Sequence, residues 1–295
     1  MKAIVIGANG YIARHLVKAL KENRGEVLVC SNRAESIDSH PDYLQVDVTD
    51  PRSVDQLDFD ADAVFVFAGL TGTAAGFNKY DDYICVNQIG LLNILDALKK
   101  KNPKIRVVFP SSRLVYKGQK DVALKEDAEK EFKTIYALTK YAGEETLQMY
   151  HNAFGLNYTI YRICVPYGNL LGGSYSYGTL GFMLGKAQKG ESITLFGEGS
   201  QKRTVTHVGD ICEGILKTSL LSQTENGVFN IGGETLSLLD AATAVAKKYG
   251  VGVEFKPWNP LDLSIESGDT IFDSTKLDAL LGSRQYEFYS WLEQV

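Results

Sequence analysis

From its first residues to about residue 165 the chain alternates short β-branched apolar runs with longer amphipathic stretches, a pattern that few folds accommodate. Ala3–Ile6, Val27–Cys30, Tyr43–Val46, Ala63–Phe67, Ile105–Phe109 and Tyr158–Ile163 are strand candidates, with helical spacing between most of them. Such alternation predicts an α/β fold: a doubly wound parallel sheet with helices on both faces. The nearly unbroken apolar character of Val64–Phe67 and Val107–Phe109 fits strands buried on both sides. Beyond Pro166 the texture changes to a Gly/Tyr/Ser-rich stretch, Tyr167–Gly181, and then to shorter elements. The division expected is a first domain over residues 1–165 and a smaller C-terminal lobe over 166–295, with part of about 203–250 returning to the first.

At 295 residues and 44% hydrophobic, the chain can bury a full core without covalent staples. Its four cysteines, Cys30, Cys85, Cys164 and Cys212, are scattered with no CxxC spacing, so they are read as small buried apolar residues and no metal site is expected. A net charge of −5 carries no basic bias toward nucleic acid. No apolar run reaches the ~20 residues of a membrane span, and the chain enters a strand at once with Lys2–Ile6. A cytoplasmic protein with no membrane partner is the expectation.

Directly after the first strand comes Gly7-Ala-Asn9-Gly10-Tyr11-Ile12-Ala13, followed by Leu16, Val17 and Leu20 at helical spacing. Glycines there allow a tight strand-to-helix turn, let a pyrophosphate approach the backbone amides, and leave a helix N-terminus facing it. A glycine triplet alone is a weak signal, but its placement on the first strand and first helix points to a bound dinucleotide. The second strand ends in Ser31-Asn32-Arg33. An acidic residue there would hold the free ribose hydroxyls of NAD, whereas a small polar residue followed by arginine leaves room and charge for a 2′-phosphate, so NADP is favoured over NAD. Asp47 and Val48 close the third strand; the carboxylate either meets the adenine or caps the next turn.

Tyr136-Ala-Leu-Thr-Lys140 sets a phenol and an ammonium four residues apart on one helical face. A phenol with pKa ~10 is a poor base at neutral pH unless a nearby cation stabilises its anion. Tyr116 and Lys120 have the same spacing, but Gly118 lies between them and no helical periodicity surrounds them. Around Tyr136, by contrast, Ile135, Leu138, Tyr141, Ala142, Leu147 and Met149 predict a long helix with one apolar side. The strand Ile105–Phe109 runs into Pro110-Ser111-Ser112, at the strand end where open α/β sheets bind ligands.

Taken in order, these segments resemble the extended short-chain dehydrogenase/reductase family, the NAD-dependent epimerase/dehydratase group acting on nucleotide sugars. The resemblance rests on Gly7-Ala-Asn-Gly10-Tyr-Ile, Asp47-Val-Thr-Asp50, Val86-Asn87-Gln-Ile-Gly90, Ser111-Ser112-Arg113-Leu-Val-Tyr116 and Tyr136 to Lys140. It implies a Rossmann-type sheet with a substrate lobe, Ser112 as the catalytic serine with Ser111 as runner-up, and Tyr136 as acid/base. By the same resemblance Lys140 lowers the phenol's pKa and binds ribose, while Asn87 is a supporting polar residue. Phe67, Ala68 and Gly69 would line the cofactor, with Thr71 and Arg113 toward the substrate. Arg203 would grip the diphosphate of a nucleotide-sugar partner, His207 would be structural, and Val165 stands where the family often has asparagine. A homodimer through the helices around Tyr80–Lys101 and Thr134–Phe154 is also implied.

Ser112 is followed by Arg113 and Leu114, which cannot serve as the Asp-Glu pair of 4,6-dehydratases or as the cysteine of the 3,5-epimerising members. A 4-ketoreductase drawing NADPH and a 4-epimerase retaining NAD remain. Ser31–Arg33 and the compact length favour the reductase; a non-catalytic dinucleotide sensor or assembly subunit is the reading from another class.

Overall fold

The computed structural model describes residues 1–173 and 177–295, so Ser174, Tyr175 and Ser176 of the Gly/Tyr/Ser-rich stretch lie outside the described residues. Seven parallel strands form one sheet in the spatial order Tyr43–Gln45, Glu26–Ser31, Lys2–Ile6, Ala63–Val66, Arg106–Ser112, Asn157–Ile163 and Gly227–Asn230. The chain therefore winds outward from Lys2–Ile6 in one direction and, starting again at Ala63–Val66, in the other. A crevice opens at that reversal, beyond the carboxyl ends of the strands. All six anticipated strands are present. Arg106–Ser112 continues past Phe109 through Pro110-Ser111-Ser112, and the segment near Val228, ambiguous in sequence, forms the sheet's edge strand.

Successive residues of each strand serve opposite faces. Ile4, Ile6, Val64, Val66, Val107 and Phe109 pack with Leu91, Ile94, Leu95, Leu98 and Leu147 on one side. Ala3, Val5, Val27, Val29, Phe65 and Val108 pack with Leu16, Val17, Leu20, Ile211 and Ile215 on the other. This division explains the unbroken apolar runs: no residue of Ala63–Val66 faces water. Helix Val208–Thr218 covers the first sheet, whereas helix Leu238–Tyr249 belongs to a third apolar cluster with Tyr167, Leu180, Leu195 and Trp291. That cluster supports a smaller sheet of Glu234–Ser237, Lys202–His207 and Val165–Tyr167.

Two expectations need correction. Cys30, Cys164 and Cys212 are buried, but Cys85 is exposed on the outward side of a π-helical turn. Helix Ile135–Phe154 buries Ala137, Lys140, Gly143, Glu144, Leu147 and Tyr150, while the apolar Leu138 and Met149 face outward. Small residues and a paired carboxylate fill its inner face because Phe109 lies within 2.8 Å of where a side chain on Gly143 would begin. Among the described residues, no helix is long and apolar enough to cross a membrane.

Candidate active site

Two cavities meet at the reversal of strand order. One, of about 250 Å³, is lined by Gly7, Asn9, Gly10, Ser31, Asn32, Arg33, Val46, Asp47, Val48, Phe67, Ala68 and Gly69, among others. The other, of about 220 Å³, shares Gly10, Phe67 and Gly69 and continues past Tyr11, Ile12 and Thr71 to Ser111, Ser112, Tyr136 and Lys140. Each predicted cofactor residue lies on one of these walls.

The glycine turn is built tightly. Gly7 has φ +85°, and a Cβ there would sit 2.3 Å from Ala68 N and 2.6 Å from the carbonyl carbon of Phe67. The Gly7 and Ala8 amides donate to the Cys30 carbonyl at 2.8 and 2.9 Å, leaving Gly10 to open helix Tyr11–Glu22 without a side-chain cap. An uncapped helix start facing a cavity suits an anion. Gly7→Ala is therefore expected to weaken dinucleotide binding by about tenfold or more, from strain and steric displacement together. Fluorescence titration with NADH, with circular dichroism confirming the fold, checks this; unchanged affinity would refute the tight approach.

At the adenosine end, Asn9 is committed to its own loop, donating to the Glu35 carbonyl at 3.1 Å and accepting from Ile37 N at 3.0 Å. Asp47 accepts from both Thr49 N and Thr49 Oγ1, at 2.9 and 2.8 Å, so its carboxylate caps a turn while lining the cavity. Ser31 is buried; Asn32 and Arg33 are exposed, and Arg33 forms no ion pair among the described residues.

At the other end, helix Ile135–Phe154 starts with Thr134 accepting from Ala137 N at 3.1 Å and ends at Gly155 in the left-handed region, φ +73°. Tyr136 lies in its first turn and shares the wall of the second cavity with Ser112. Lys140, one turn on, donates to the Pro110 carbonyl at 2.8 Å, and its Nζ lies 6.0 Å from the Tyr136 ring centre. Burial lowers the Lys140 ammonium to about 8, against a smaller opposing pull from Glu144. Burial also pushes the Tyr136 phenol well above its usual value, helped by Tyr177 and opposed by the Ser112 hydrogen bond and the Arg113 charge. Without a ligand, then, desolvation keeps the phenol a protonated donor, and the charge that opposes this is that of Arg113 and not, as anticipated, that of Lys140.

Ser111 points elsewhere: its hydroxyl donates to Glu144. Asn87 sits in the π-helical turn Cys85–Ile89, takes a hydrogen bond from Leu70 N at 2.7 Å and donates to Thr139 Oγ1 at 3.0 Å. It thus ties the loop carrying Gly69 and Thr71 to the helix carrying Tyr136. Tyr177, not anticipated from sequence, stacks on Tyr11 at 4.5 Å and lines the second cavity. Tyr116 of the competing Tyr-Lys pair is fully buried, donating to Asn230 Oδ1 at 2.7 Å, and lines neither cavity.

Of the residues expected at the substrate, Arg113 contacts Ser267 Oγ at 2.9 Å and Thr270 Oγ1 at 3.4 Å. Arg203 is 2% exposed; its guanidinium donates to the Lys202 and Gly268 carbonyls and to Glu266 Oε1, the last at 2.5 Å. Val165 is buried and pairs with Val205. His207 accepts from Gly209 N at 3.1 Å at the start of helix Val208–Thr218, and burial lowers its imidazole to about 4, so it stays neutral.

A family model for the NAD dependent epimerase/dehydratase family matches residues 3–232. The chain is 28% identical to a provisionally named UDP-glucose 4-epimerase of Methanocaldococcus jannaschii, over 78% of this chain and 76% of that protein. It is 26% identical to the UDP-glucose 4-epimerase of Lactobacillus helveticus, over 96% and 91% respectively. The crystal structure of Thermus thermophilus UDP-glucose 4-epimerase in complex with NAD superposes with a TM-score of 0.83, at 24% identity, over 95% of this chain and 92% of that one. The glycine turn and the Ser112, Tyr136 and Lys140 cluster fall within the matched span, and the chain belongs to the NAD dependent epimerase/dehydratase family.

Proposed function

We propose that the protein is a nucleotide-sugar 4-epimerase that keeps its NAD bound through the cycle. The observation that carries this reading is that Ser112, Tyr136 and, a turn on, Lys140 share the wall of a cavity that continues into the glycine-turn cradle. Bound in this cradle, NAD would supply the hydride acceptor and donor for the sugar carbon. The chain's own residues do the rest. The turn from Gly7 to Gly10 and the start of helix Tyr11–Glu22 hold the pyrophosphate, Ser31 to Arg33 with Asp47 and Val48 surround the adenosine, and Phe67 to Gly69 floor the ring. Tyr136 takes the proton of the reacting hydroxyl in the oxidising half and gives it back in the reducing half. Ser112 holds the same oxygen, Lys140 supplies positive charge and a ribose contact, Asn87 positions the loop, and Thr71, Arg113 and Arg203 lie toward the nucleotide sugar.

The names of the relatives support an epimerase, and the NAD in the Thermus thermophilus structure supports NAD, in preference to the NADPH-dependent 4-ketoreductase that the sequence alone favours. The reductase keeps one specific support: Arg33, exposed beside the adenosine-side cavity with no acidic residue at the end of Glu26–Ser31. The two separate cleanly. An epimerase interconverts UDP-glucose and UDP-galactose without added cofactor and releases NAD on heat denaturation. Net consumption of NADPH with a 4-keto nucleotide sugar, and no released NAD, would overturn the proposal in favour of the reductase.

The outward Leu138 and Met149 of the catalytic helix, with Tyr80, Ile84 and Ile89 on the neighbouring helical segment, leave an apolar surface that a second copy would cover. Sedimentation velocity is expected to give twice the chain mass, and Leu138→Glu with Met149→Glu half to return it to one. A wild-type monomer at micromolar concentration would refute the homodimer.

A further inference from the structure

The start of helix Tyr11–Glu22, which faces the dinucleotide cradle, also holds the chain that leaves strand Val165–Tyr167. Pro166 of that strand and Tyr177 beyond it both line the second cavity. Tyr11 Oη donates to the Gly168 carbonyl at 2.6 Å, and the Tyr11 ring is stacked on Tyr177. His15, one turn on and buried, reaches the same chain, with Nε2 3.0 Å from Leu170 N and Nδ1 2.8 Å from the Tyr11 carbonyl. A carbonyl only accepts, so Nδ1 carries the proton and Nε2 is left as the acceptor for the Leu170 amide. Asn169 braces the loop from within: its Oδ1 accepts from Leu171 N at 3.0 Å and its Nδ2 donates to the Gly172 carbonyl at 2.9 Å.

The ring can do this only while neutral. A second proton would set an N–H on Nε2 against the Leu170 N–H, and the acceptor then within reach is Asn169 Oδ1 at 3.1 Å, already engaged by Leu171. Protonation therefore exchanges the backbone bond for a side-chain one and drives the Leu170 amide away. The surroundings favour the neutral form. Burial lowers the His15 imidazole from its ordinary value and the Arg14 charge lowers it further, against the Tyr11 and Asn169 contacts and the Asp38 charge. Asp38 is itself paired with Arg14, Glu22 with Lys18 on the same helix, and Glu213 with Lys217 on helix Val208–Thr218, so each of these carboxylates already has a cation. From the start of that second helix the neutral His207, stacked on Tyr286, backs the loop: its Nε2 lies 2.1 Å from where a side chain on Gly168 would begin.

We propose that His15 is a positioning residue: as the neutral acceptor of the Leu170 amide it latches the loop from Gly168 to Gly173 onto the cofactor helix, and so fixes Pro166 and Tyr177 on the sugar side of the second cavity. This rests on the nucleotide-sugar reading above. The chain has four histidines, so ring-nitrogen NMR of labelled protein resolves each, with His15→Gln assigning the signal. Wild type is expected to show His15 protonated on Nδ1 at neutral pH and taking its second proton only below pH 6.5. Through that titration KM for UDP-glucose rises about tenfold, the worth of one buried hydrogen bond, while kcat changes less than about twofold and bound NAD stays constant. His15→Gln, whose amide oxygen reaches toward Leu170 and does not titrate, keeps the neutral-pH KM and loses the acid rise. His15→Ala has the raised KM at every pH. An Nε2-protonated ring at neutral pH, a wild-type KM that stays flat through the titration, or an unchanged KM in His15→Ala overturns the latch. If UDP-glucose is not turned over, the epimerase reading fails and amide exchange at Leu170 decides the latch: protection lost in His15→Ala and kept in His15→Gln supports it, and equal protection overturns it. Wild type and His15→Gln suffice where His15→Ala does not fold.

Discussion

Tyr136→Phe lowers kcat about 10²- to 10⁴-fold, the range of a positioned general acid–base group, while the protein retains its dinucleotide. The substitution removes one oxygen at the Ser112 end of the cavity and leaves the glycine turn untouched, so cofactor content after denaturation should match wild type. The same oxygen gives a pH signature. In the ligand-free protein burial holds the phenol above its usual value, and the phenolate appears only in strong alkali. On the proposed reading, a bound oxidised dinucleotide would place a cationic ring near the hydroxyl and would lower that pKa. Difference absorbance of wild type against Tyr136→Phe should therefore show one phenolate forming at lower pH once oxidised dinucleotide is present. Activity that depends on the Lys140 ammonium declines in turn as pH rises through about 8, where that group loses its proton. A Tyr136→Phe enzyme within tenfold of wild type would remove the phenol from the chemistry.

The features legible in the sequence share a property: each is encoded within a dozen residues. Strand periodicity, the Gly7 to Gly10 turn and the Tyr136 to Lys140 spacing are local, and the sheet brings them to one crevice because parallel strands present their carboxyl ends together. What the sequence hides is pairing at a distance. Arg203 meets Glu266 across 63 positions, and Arg113 meets Ser267 across 154. Nothing near Arg203 announces a partner, so on resemblance alone it reads as free to grip a phosphate. The outward turn of Leu138 and Met149 is hidden for a related reason, since a helix's apolar side faces the sheet only where the sheet leaves room. Glu144 did leave a signal that went unused: it lies one helical turn after Lys140, on the buried face.

That residue carries the largest expected effect on stability. Glu144 and Arg162 are 4% and 3% exposed, joined by Arg162 Nε to Oε1 at 2.9 Å and Nη2 to Oε2 at 2.5 Å. Burial alone would lower the Arg162 guanidinium, and the carboxylate more than reverses this. The pair also takes the Ser111 hydroxyl and reaches Tyr116 at 2.7 Å, whose own hydroxyl donates to Asn230 on the edge strand. Four elements thus converge behind the catalytic wall. Glu144→Ala leaves a buried cation with only neutral partners and is expected to cost about 3–5 kcal/mol, measured by urea unfolding. If the cost comes from the orphaned charge, Glu144→Met with Arg162→Met removes both ions and recovers much of it. A single variant that costs under about 1 kcal/mol, or a double variant no better than the single, would mean that water or a rearranged carbonyl can satisfy Arg162. Because Ser111 precedes Ser112 on the same strand end, loss of the pair is expected to shift Ser112 on the wall it shares with Tyr136. The single variant should therefore lose kcat before it loses dinucleotide, which distinguishes a displaced wall from a collapsed fold.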